Sequence, residues 1–230
     1  MILAAGFGKR LRPLTDEKPK ALVPVCGRPI IDYTLSHLKR IGIRNVVVNL
    51  HYRGDELRKY LERKDDLKII CSDERHELLD TGGAVVKAMA NFGSNPFLVI
   101  NCDIIWLNGV KDTLLCMAEQ WDDSRHDALL LVHPTVSARG YRGLGDFFMS
   151  SCGGLTRRRE SEVAPFIFCG VQILHPRLFT GCPNGRFSLN SLYDRAEKNL
   201  RLSGLRHDGM WLHLSQKEDL LVVESALNAL

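Results

Sequence analysis

Three short stretches hold residue types whose chemistry goes beyond packing. The first is Leu3-Ala4-Ala5-Gly6-Phe7-Gly8-Lys9-Arg10-Leu11-Arg12-Pro13-Leu14-Thr15. Small residues and two glycines let backbone N–H groups approach a ligand closely, and Lys9, Arg10 and Arg12 add positive charge. The stretch leaves a short apolar strand, and a loop of this kind at the carboxyl end of a strand suits a polyphosphate. The second stretch, Lys18-Pro19-Lys20-Ala21-Leu22-Val23-Pro24-Val25, places two lysines beside a rigid proline turn and anchors them with an apolar strip. A lysine fixed near a glycine loop holds phosphate as a point charge. The third is Asn101-Cys102-Asp103, a carboxylate just past an apolar strand. A helix N-cap is the commoner reading of such an aspartate, and a metal ligand is the other.

What is missing narrows the chemistry further. Leu11 stands where a dinucleotide fingerprint needs its third glycine, and no GxxxxGK[ST] loop occurs. No Ser/His/Asp arrangement carries a hydrolase signature. The seven cysteines are scattered without a CxxC, so neither a thiolate zinc site nor a disulfide scaffold is expected. Reduced thiols and a cytoplasmic location follow as the expectation. The chain of 230 residues is 45% hydrophobic and 25% charged, which excludes disorder and low-complexity fibres. No apolar run reaches the roughly 18 residues that span a bilayer, so no membrane partner is expected. A net charge of +4 suits anionic small molecules. Without a basic stripe or an aromatic stacking platform, nucleic acid is not an expected partner.

These residues need a scaffold, and the pattern supplies one. Met1–Ala4, Asn45–Leu50, Leu67–Cys71, Phe97–Asn101 and Ala128–His133 read as strands. Between them, helices are expected from Pro29 to Ile41, closed by Gly42, then over Asp55–Arg63, Gly82–Phe92 and Asp112–Trp121. Strand–helix alternation over residues 1–133 predicts a largely parallel sheet covered by helices. The rhythm then changes. Gly153-Gly154 is expected to turn a hairpin, with Arg157-Arg158-Arg159-Glu160 as its solvated edge. A strand at Phe166–Leu174, a helix at Leu189–Asn199, a short strand at Trp211–Leu214 and a helix at Glu218–Leu227 complete the chain. No linker separates two domains, so one domain over 1–230 is expected.

The stretch Leu3 to Val25 resembles the signature of the sugar-1-phosphate nucleotidyltransferases, AAGxGxRLxPLT followed by KPKxLxPV. Within that superfamily the chain is most similar to the uridylyltransferases of N-acetylmuramate 1-phosphate. Their compact length is shared, as are Asp80-Thr81-Gly82-Gly83, Gly145-Asp146-Phe147 and Cys169-Gly170-Val171-Gln172-Ile173-Leu174-His175-Pro176. The resemblance implies a three-layer α/β/α Rossmann-like nucleotidyltransferase fold with a mixed, mostly parallel sheet. Residues 1–133 would form its nucleotide-binding half and 134–230 its sugar-binding half. It also implies the reaction: a sugar 1-phosphate attacks the α-phosphorus of a nucleoside triphosphate, most simply UTP, and pyrophosphate leaves. Guanylyl transfer to mannose 1-phosphate, and thymidylyl or uridylyl transfer to glucose 1-phosphate, are the alternatives. A nucleotide-sugar sensor without turnover is the alternative from another class.

The same resemblance assigns roles. Arg10 and the backbone of Ala5, Gly6 and Gly8 would hold the pyrophosphate, Lys20 would neutralise charge at the reacting phosphates, and Asp103 would bind magnesium. Glu74, Thr81, Gly82 and Gly83 would read the base. Gly145, Asp146, Gly170 and Asn190 would meet the sugar, with Arg28, Arg139, Arg142 and Arg206 as candidates for its lactyl carboxylate. Two departures stand out. Family members usually carry a few residues before a first strand that here opens at Met1. The family's Trp-x-Asp-x-Gly also reads Trp211-Leu212-His213-Leu214-Ser215, with His213 where a second metal aspartate is expected. Imidazole suits Mn2+ better than Mg2+. His213 is therefore a hydrogen-bond partner at a site held by Asp103, a ligand that shifts the metal preference, or a mark of weakened activity. Nothing in the sequence sets an oligomeric state.

Overall fold

The computed structural model describes residues 1–229; the expected boundary at residue 230 lies outside them. The elements run β1 (Ile2–Leu3), β2 (Pro24–Val25), β3 (Arg28–Pro29), α1 (Ile30–Arg40), β4 (Asn45–Leu50), α2 (Gly54–Leu61), β5 (Lys68–Asp73), α3 (Asp80–Ala88), β6 (Phe97–Asn101) and β7 (Ile104–Leu107). They continue with α4 (Thr113–Gln120), β8 (Ala128–Pro134), β9 (Phe147–Met149), β10 (Leu155–Arg157), β11 (Phe166–Leu174), α5 (Asn190–Lys198), β12 (Leu202–Arg206), β13 (Met210–His213) and α6 (Lys217–Asn228).

One sheet has nine strands in the order β10-β9-β11-β6-β1-β4-β5, with β8 joined to β11 and β12 joined to β8. The pairs β6-β1, β1-β4, β4-β5 and β8-β12 are parallel, while β11 runs antiparallel to both β6 and β8. Alternate strand residues feed two apolar layers, as the period of two requires. Ile2, Val46, Val48 and Ile100 pack under α1, α2 and α4, through Leu35, Leu38, Leu57 and Met117. Val47, Val99, Leu130 and Leu174 face α3 and α5, through Ala84, Val85, Leu192 and Ala196. Two helical layers on one mixed, mostly parallel sheet make the expected three-layer architecture.

A third cluster was not foreseen. Leu212 on β13, Ile105 on β7, Val23, Val25 and Ile30 meet Val223 and Ala226 of α6. Strands β7 and β13 form a small antiparallel sheet, with Ile104 opposite His213. This cluster backs the Lys20 segment and both sides of Asp103.

Local chemistry sets the element ends. Gly42 takes φ +83° and closes α1. Asp112 caps α4 by accepting from the N–H groups of Leu114 and Leu115. Gln216 and Asp219 form a reciprocal capping box on α6. The hairpin at Gly153-Gly154 joins β9 to β10, with the Ser150 N–H donating to the Gly154 carbonyl at 2.9 Å. The charged run after it departs from the expected solvated edge. Arg157 binds Asp194 with two nitrogens at 2.6 and 2.7 Å, and Arg158 donates to the Gly145 carbonyl at 2.6 Å. Only Arg159 and Glu160 stay exposed there.

Candidate active site

Strands β1, β4 and β6 lie side by side and end together, and a cavity of about 450 Å3 opens at their carboxyl ends. This is where open α/β sheets bind ligands. The glycine loop leaves β1 into it. The Ala4 N–H donates to the Asn49 side-chain oxygen at 2.6 Å, which ties the loop to β4. Gly6 has no atom within 4 Å of where a Cβ would stand. Packing therefore does not require glycine there, and the space it leaves belongs to the cavity. Gly8 is different. It sits at φ +61°, and a Cβ would stand 2.9 Å from the Thr15 methyl and 3.3 Å from the Lys20 Cβ. Fully buried Leu11 pins the turn that follows. Ala5, Gly6, Gly8, Lys9 and Arg10 line the cavity, whereas Arg12 is turned away to Asp16 at 3.1 Å.

Lys20 rides on a short turn held by Ala21, Val23 and Val25, all of which are buried. Its Nζ lies 3.0 Å from Asp103 Oδ2. Asp103 occupies the turn between β6 and β7 rather than a helix N-cap. Its carbonyl accepts from the Leu214 N–H at 3.1 Å. His213 closes β13, and its Nε2 stands 3.7 Å from the same Asp103 oxygen, longer than a hydrogen bond. Burial acts to raise the Asp103 carboxyl, but the Lys20 ammonium and the His213 imidazole hold it well below the usual carboxylate range. It is a carboxylate at neutral pH. Ser215, at the expected glycine position, also lines the cavity.

Asp103 and His213 offer one oxygen and one nitrogen donor to a cation. Among the described residues no group of three His, Cys, Asp or Glu side chains could hold a metal. The pair thus fits a divalent ion completed by substrate oxygens and water, and does not fit a closed structural site.

The expected base-reading residues are corrected in part. Thr81 lines the cavity. Glu74 is buried and its two oxygens are already committed, to the Asn49 amide at 2.8 Å and the Leu79 N–H at 3.2 Å. Burial raises its carboxyl while these two bonds oppose the rise. It aims Asn49, a cavity residue, and does not reach the cavity itself. The N–H groups of Gly82 and Gly83 do not face a ligand either. Both donate to the Phe187 carbonyl, at 2.9 and 3.2 Å. A side chain on Gly82 would collide with the Phe187 ring, and one on Gly83 with the Gly185 carbonyl. These glycines seat a loop.

The expected sugar residues lie elsewhere. Asp146 and Asn190 line a second cavity of about 770 Å3, with Tyr193 and Arg157 among its walls. Asp146 Oδ2 accepts from the Phe168 N–H at 2.8 Å, and burial raises its carboxyl above the ordinary value. Gly145 and Gly170 act through shape. Gly145, at φ +79°, has no room for a side chain against the Ala164 carbonyl, and its N–H donates to the Tyr141 hydroxyl at 3.0 Å. Gly170, at φ +76°, sits where β11 bulges between Phe168 and Gln172 and lets the Asn101 side chain approach. Of the arginines expected for a carboxylate, Arg28 is occupied by the Asp32 carbonyl and the Ser36 hydroxyl.

Sequence reasoning missed four cavity residues: Asn49, Asn101, Arg186 and Ser215. Asn49 and Asn101 were findable, because each is a polar residue within the last two positions of an apolar strand, at its carboxyl end. Arg186 carried no signal, since its loop borders the cavity only through tertiary packing.

Comparison with known proteins agrees with this geometry. Residues 1–142 match the family model described as nucleotidyl transferase. The chain is 36% identical to the N-acetylmuramate alpha-1-phosphate uridylyltransferase of Caulobacter vibrioides, over 99% of this chain and 96% of that protein. Identity to the protein of the same name from Neisseria meningitidis serogroup B is 32%, over 92% of this chain and 90% of the relative. The fold matches a UDP-glucose pyrophosphorylase solved with UDP-glucose at a TM-score of 0.80 and 16% identity, covering 99% of this chain and 97% of that one. It also matches an inositol-1-phosphate CTP transferase from T. maritima at a TM-score of 0.79 and 14% identity, covering 99% and 94%. The chain belongs to the nucleotidyl transferase family, among the enzymes that join a nucleotide to a sugar 1-phosphate.

Proposed function

We propose that this chain transfers UMP from UTP to N-acetylmuramate 1-phosphate and releases pyrophosphate. The observation that carries this reading is the near full-length likeness to two uridylyltransferases of that sugar phosphate. The chemistry of the cavity suits it. A phosphate monoester has a second pKa of about 6, so the attacking oxygen is already an anion at neutral pH and needs no catalytic base. That oxygen bonds to the α-phosphorus, the bond from the α-phosphorus to the bridging oxygen breaks, and pyrophosphate carries away the electron pair. What the protein supplies is alignment and positive charge.

In this reading the N–H groups around Ala5, Gly6 and Gly8 cradle the leaving pyrophosphate, and Arg10 neutralises it. Lys20 faces the reacting phosphates, its ammonium held in place by Asp103 at 3.0 Å. Thr81 and Asn49 lie toward the nucleoside, and Asp146 and Asn190 toward the sugar. Asp103, with His213 beside it, would hold a divalent cation, Mg2+ or Mn2+. Such a cation, when bound, neutralises charge on the phosphate oxygens. A cytoplasmic location goes with this activity and with cysteines that are all free thiols. Among the described residues no helix is long and apolar enough to cross a membrane.

The test is pyrophosphate release from UTP plus N-acetylmuramate 1-phosphate, in Mg2+ and in Mn2+. Release that needs both substrates is expected, with Mn2+ the better ion. His213→Asp should reverse that metal order by about tenfold, because a second carboxylate favours the harder ion. Faster release with GTP and mannose 1-phosphate, or none with any pair, would overturn the reading.

A further inference from the structure

Two buried polar side chains, Glu74 and Asn49, belong to a line of three hydrogen bonds that ends at the first cavity. The Leu79 N–H donates to Glu74 Oε2 at 3.2 Å, the Asn49 amide donates to Glu74 Oε1 at 2.8 Å, and the Ala4 N–H donates to Asn49 Oδ1 at 2.6 Å. The line joins two loops. Leu79 precedes α3, beside Leu78, Asp80 and Thr81 of the cavity wall, and Ala4 opens the glycine loop. Glu74 is itself fixed, because its N–H donates to the Leu50 carbonyl at 2.7 Å.

The polarity of the line is set from both ends. A backbone N–H only donates and a carboxylate only accepts, so Asn49 must turn its oxygen to Ala4 and its NH2 to Glu74. Both Glu74 oxygens meet donors, which suits a carboxylate and not an amide. A wrong group at either position leaves a buried donor facing a donor, which is costly away from water.

The line also ends where the loop becomes free. Among the described residues, the next hydrogen bond along the glycine loop is at Gly8, whose carbonyl accepts from Thr15 Oγ1 at 2.9 Å and from the Leu11 N–H at 2.8 Å. Between these two ties lie Ala5 and Gly6, whose N–H groups have no partner within the described residues. The direction of those N–H groups is thus fixed by Ala4 on one side and Gly8 on the other.

We propose that Glu74 is a positioning residue for the phosphates: through Asn49 it fixes the Ala4 N–H, and with it the aim of the free N–H groups of Ala5 and Gly6. The same carboxylate holds Leu79, so the loop before α3 and the glycine loop form one frame. The inference rests on the reading above in which the glycine loop cradles pyrophosphate.

The line can be reversed, and that gives its test. In the full chain carrying both Asn49→Asp and Glu74→Gln, one aspartate oxygen accepts from Ala4, the other accepts from the glutamine NH2, and the glutamine oxygen accepts from Leu79. All three bonds return with the charge moved. Each single change breaks one of them: Glu74→Gln sets an NH2 against an N–H donor, and Asn49→Asp sets two carboxylates face to face. The measurements are calorimetric binding of inorganic pyrophosphate, KM for UTP and for CTP, and thermal unfolding.

Each single variant is expected to weaken pyrophosphate binding and raise KM for UTP by about tenfold, while the preference for UTP over CTP stays within about twofold. The double variant should bind pyrophosphate more tightly than Glu74→Gln. It carries one more negative charge, nearer the cavity, so charge alone would weaken binding further and only the restored line can strengthen it. A double variant no better than Glu74→Gln overturns the proposal. So does a changed UTP-to-CTP preference with pyrophosphate binding intact, which would return Glu74 to reading the base. So does a loss that matches only the fraction of unfolded chain at the assay temperature. A parent chain that binds neither UTP nor pyrophosphate overturns the reading of the glycine loop and this proposal together. A parent that binds both, with single variants that bind equally well, overturns this proposal alone.

Discussion

The two cavities treat charge in opposite ways. Around the first, Lys9, Arg10 and Arg186 have no carboxylate partner among the described residues, and the one ion pair, Lys20 with Asp103, lies on its wall. Around the second, two of the four cations are used internally, Arg157 on Asp194 and Arg158 on the carbonyls of Gly145, Arg159, Glu160 and Glu162, while Arg159 and Lys198 have no ion pair among the described residues. The first cavity leaves most of its cations unpaired, and the second has turned its two central arginines into wall. In the proposed reaction the phosphate-rich partner is assigned to the first. The same proposal assigns the hydroxyl and amide groups of the sugar to the second.

The comparison can be tested from its strongest point downward. Lys20→Ala removes the best-anchored cation of the first cavity and leaves the Asp103 charge uncompensated. A fall in kcat of about 10³-fold or more is expected in the pyrophosphate-release assay. Arg157→Ala, which breaks an internal ion pair of the second cavity, should cost far less activity and mainly lower the unfolding temperature. Equal losses in the two variants would erase the distinction between the cavities.

The glycines give a second, smaller contrast. At Gly6 a methyl group meets nothing, so Gly6→Ala should keep the unfolding temperature and weaken nucleotide binding about tenfold or more. At Gly82 a methyl group strikes the Phe187 ring, so Gly82→Ala should lower stability by about 1–3 kcal/mol and unseat the loop that carries Arg186. Calorimetric titration beside thermal melts separates the two outcomes.

The smallest effect is one of pH. Burial raises the Asp146 carboxyl, so the folded state holds its proton to higher pH than the unfolded chain does. The stability tied to that proton is full below the ordinary carboxylate value and is lost as pH rises through the raised one. Asp146→Asn removes this slope. Urea midpoints should therefore fall less steeply with rising pH in the variant than in the parent chain, between pH 4 and 7.

What the sequence made legible followed from how local each feature is. The residues that line the first cavity could be picked out because its loop, its lysine and the ends of β1, β4 and β6 are each encoded within a few consecutive residues. Strand β12 escaped notice because Ser203 and Gly204 are poor strand formers, and Gly204 is needed to make room for Leu155 on β10. Strand β7 escaped because its partner, β13, lies far along the chain. Of Asp80-Thr81-Gly82-Gly83, Asp80 and Thr81 line the first cavity, while the N–H groups of both glycines donate to the Phe187 carbonyl. Spacing shows that a backbone is bare, and only the fold shows what comes to lie against it. Glu74 teaches the same point, since nothing local says that both of its oxygens are used inside the protein.

Strand β11 deserves a mechanical reading. It pairs with β6 through Val171–Leu174 and with β8 on its other edge, and so stitches the strands of the early residues to those of the late ones. A hinge between the two cavities would have to tear that seam, at about 1 kcal/mol for each ladder bond. The floor shared by the two cavities is thus a single hydrogen-bonded surface, with β11 running through it.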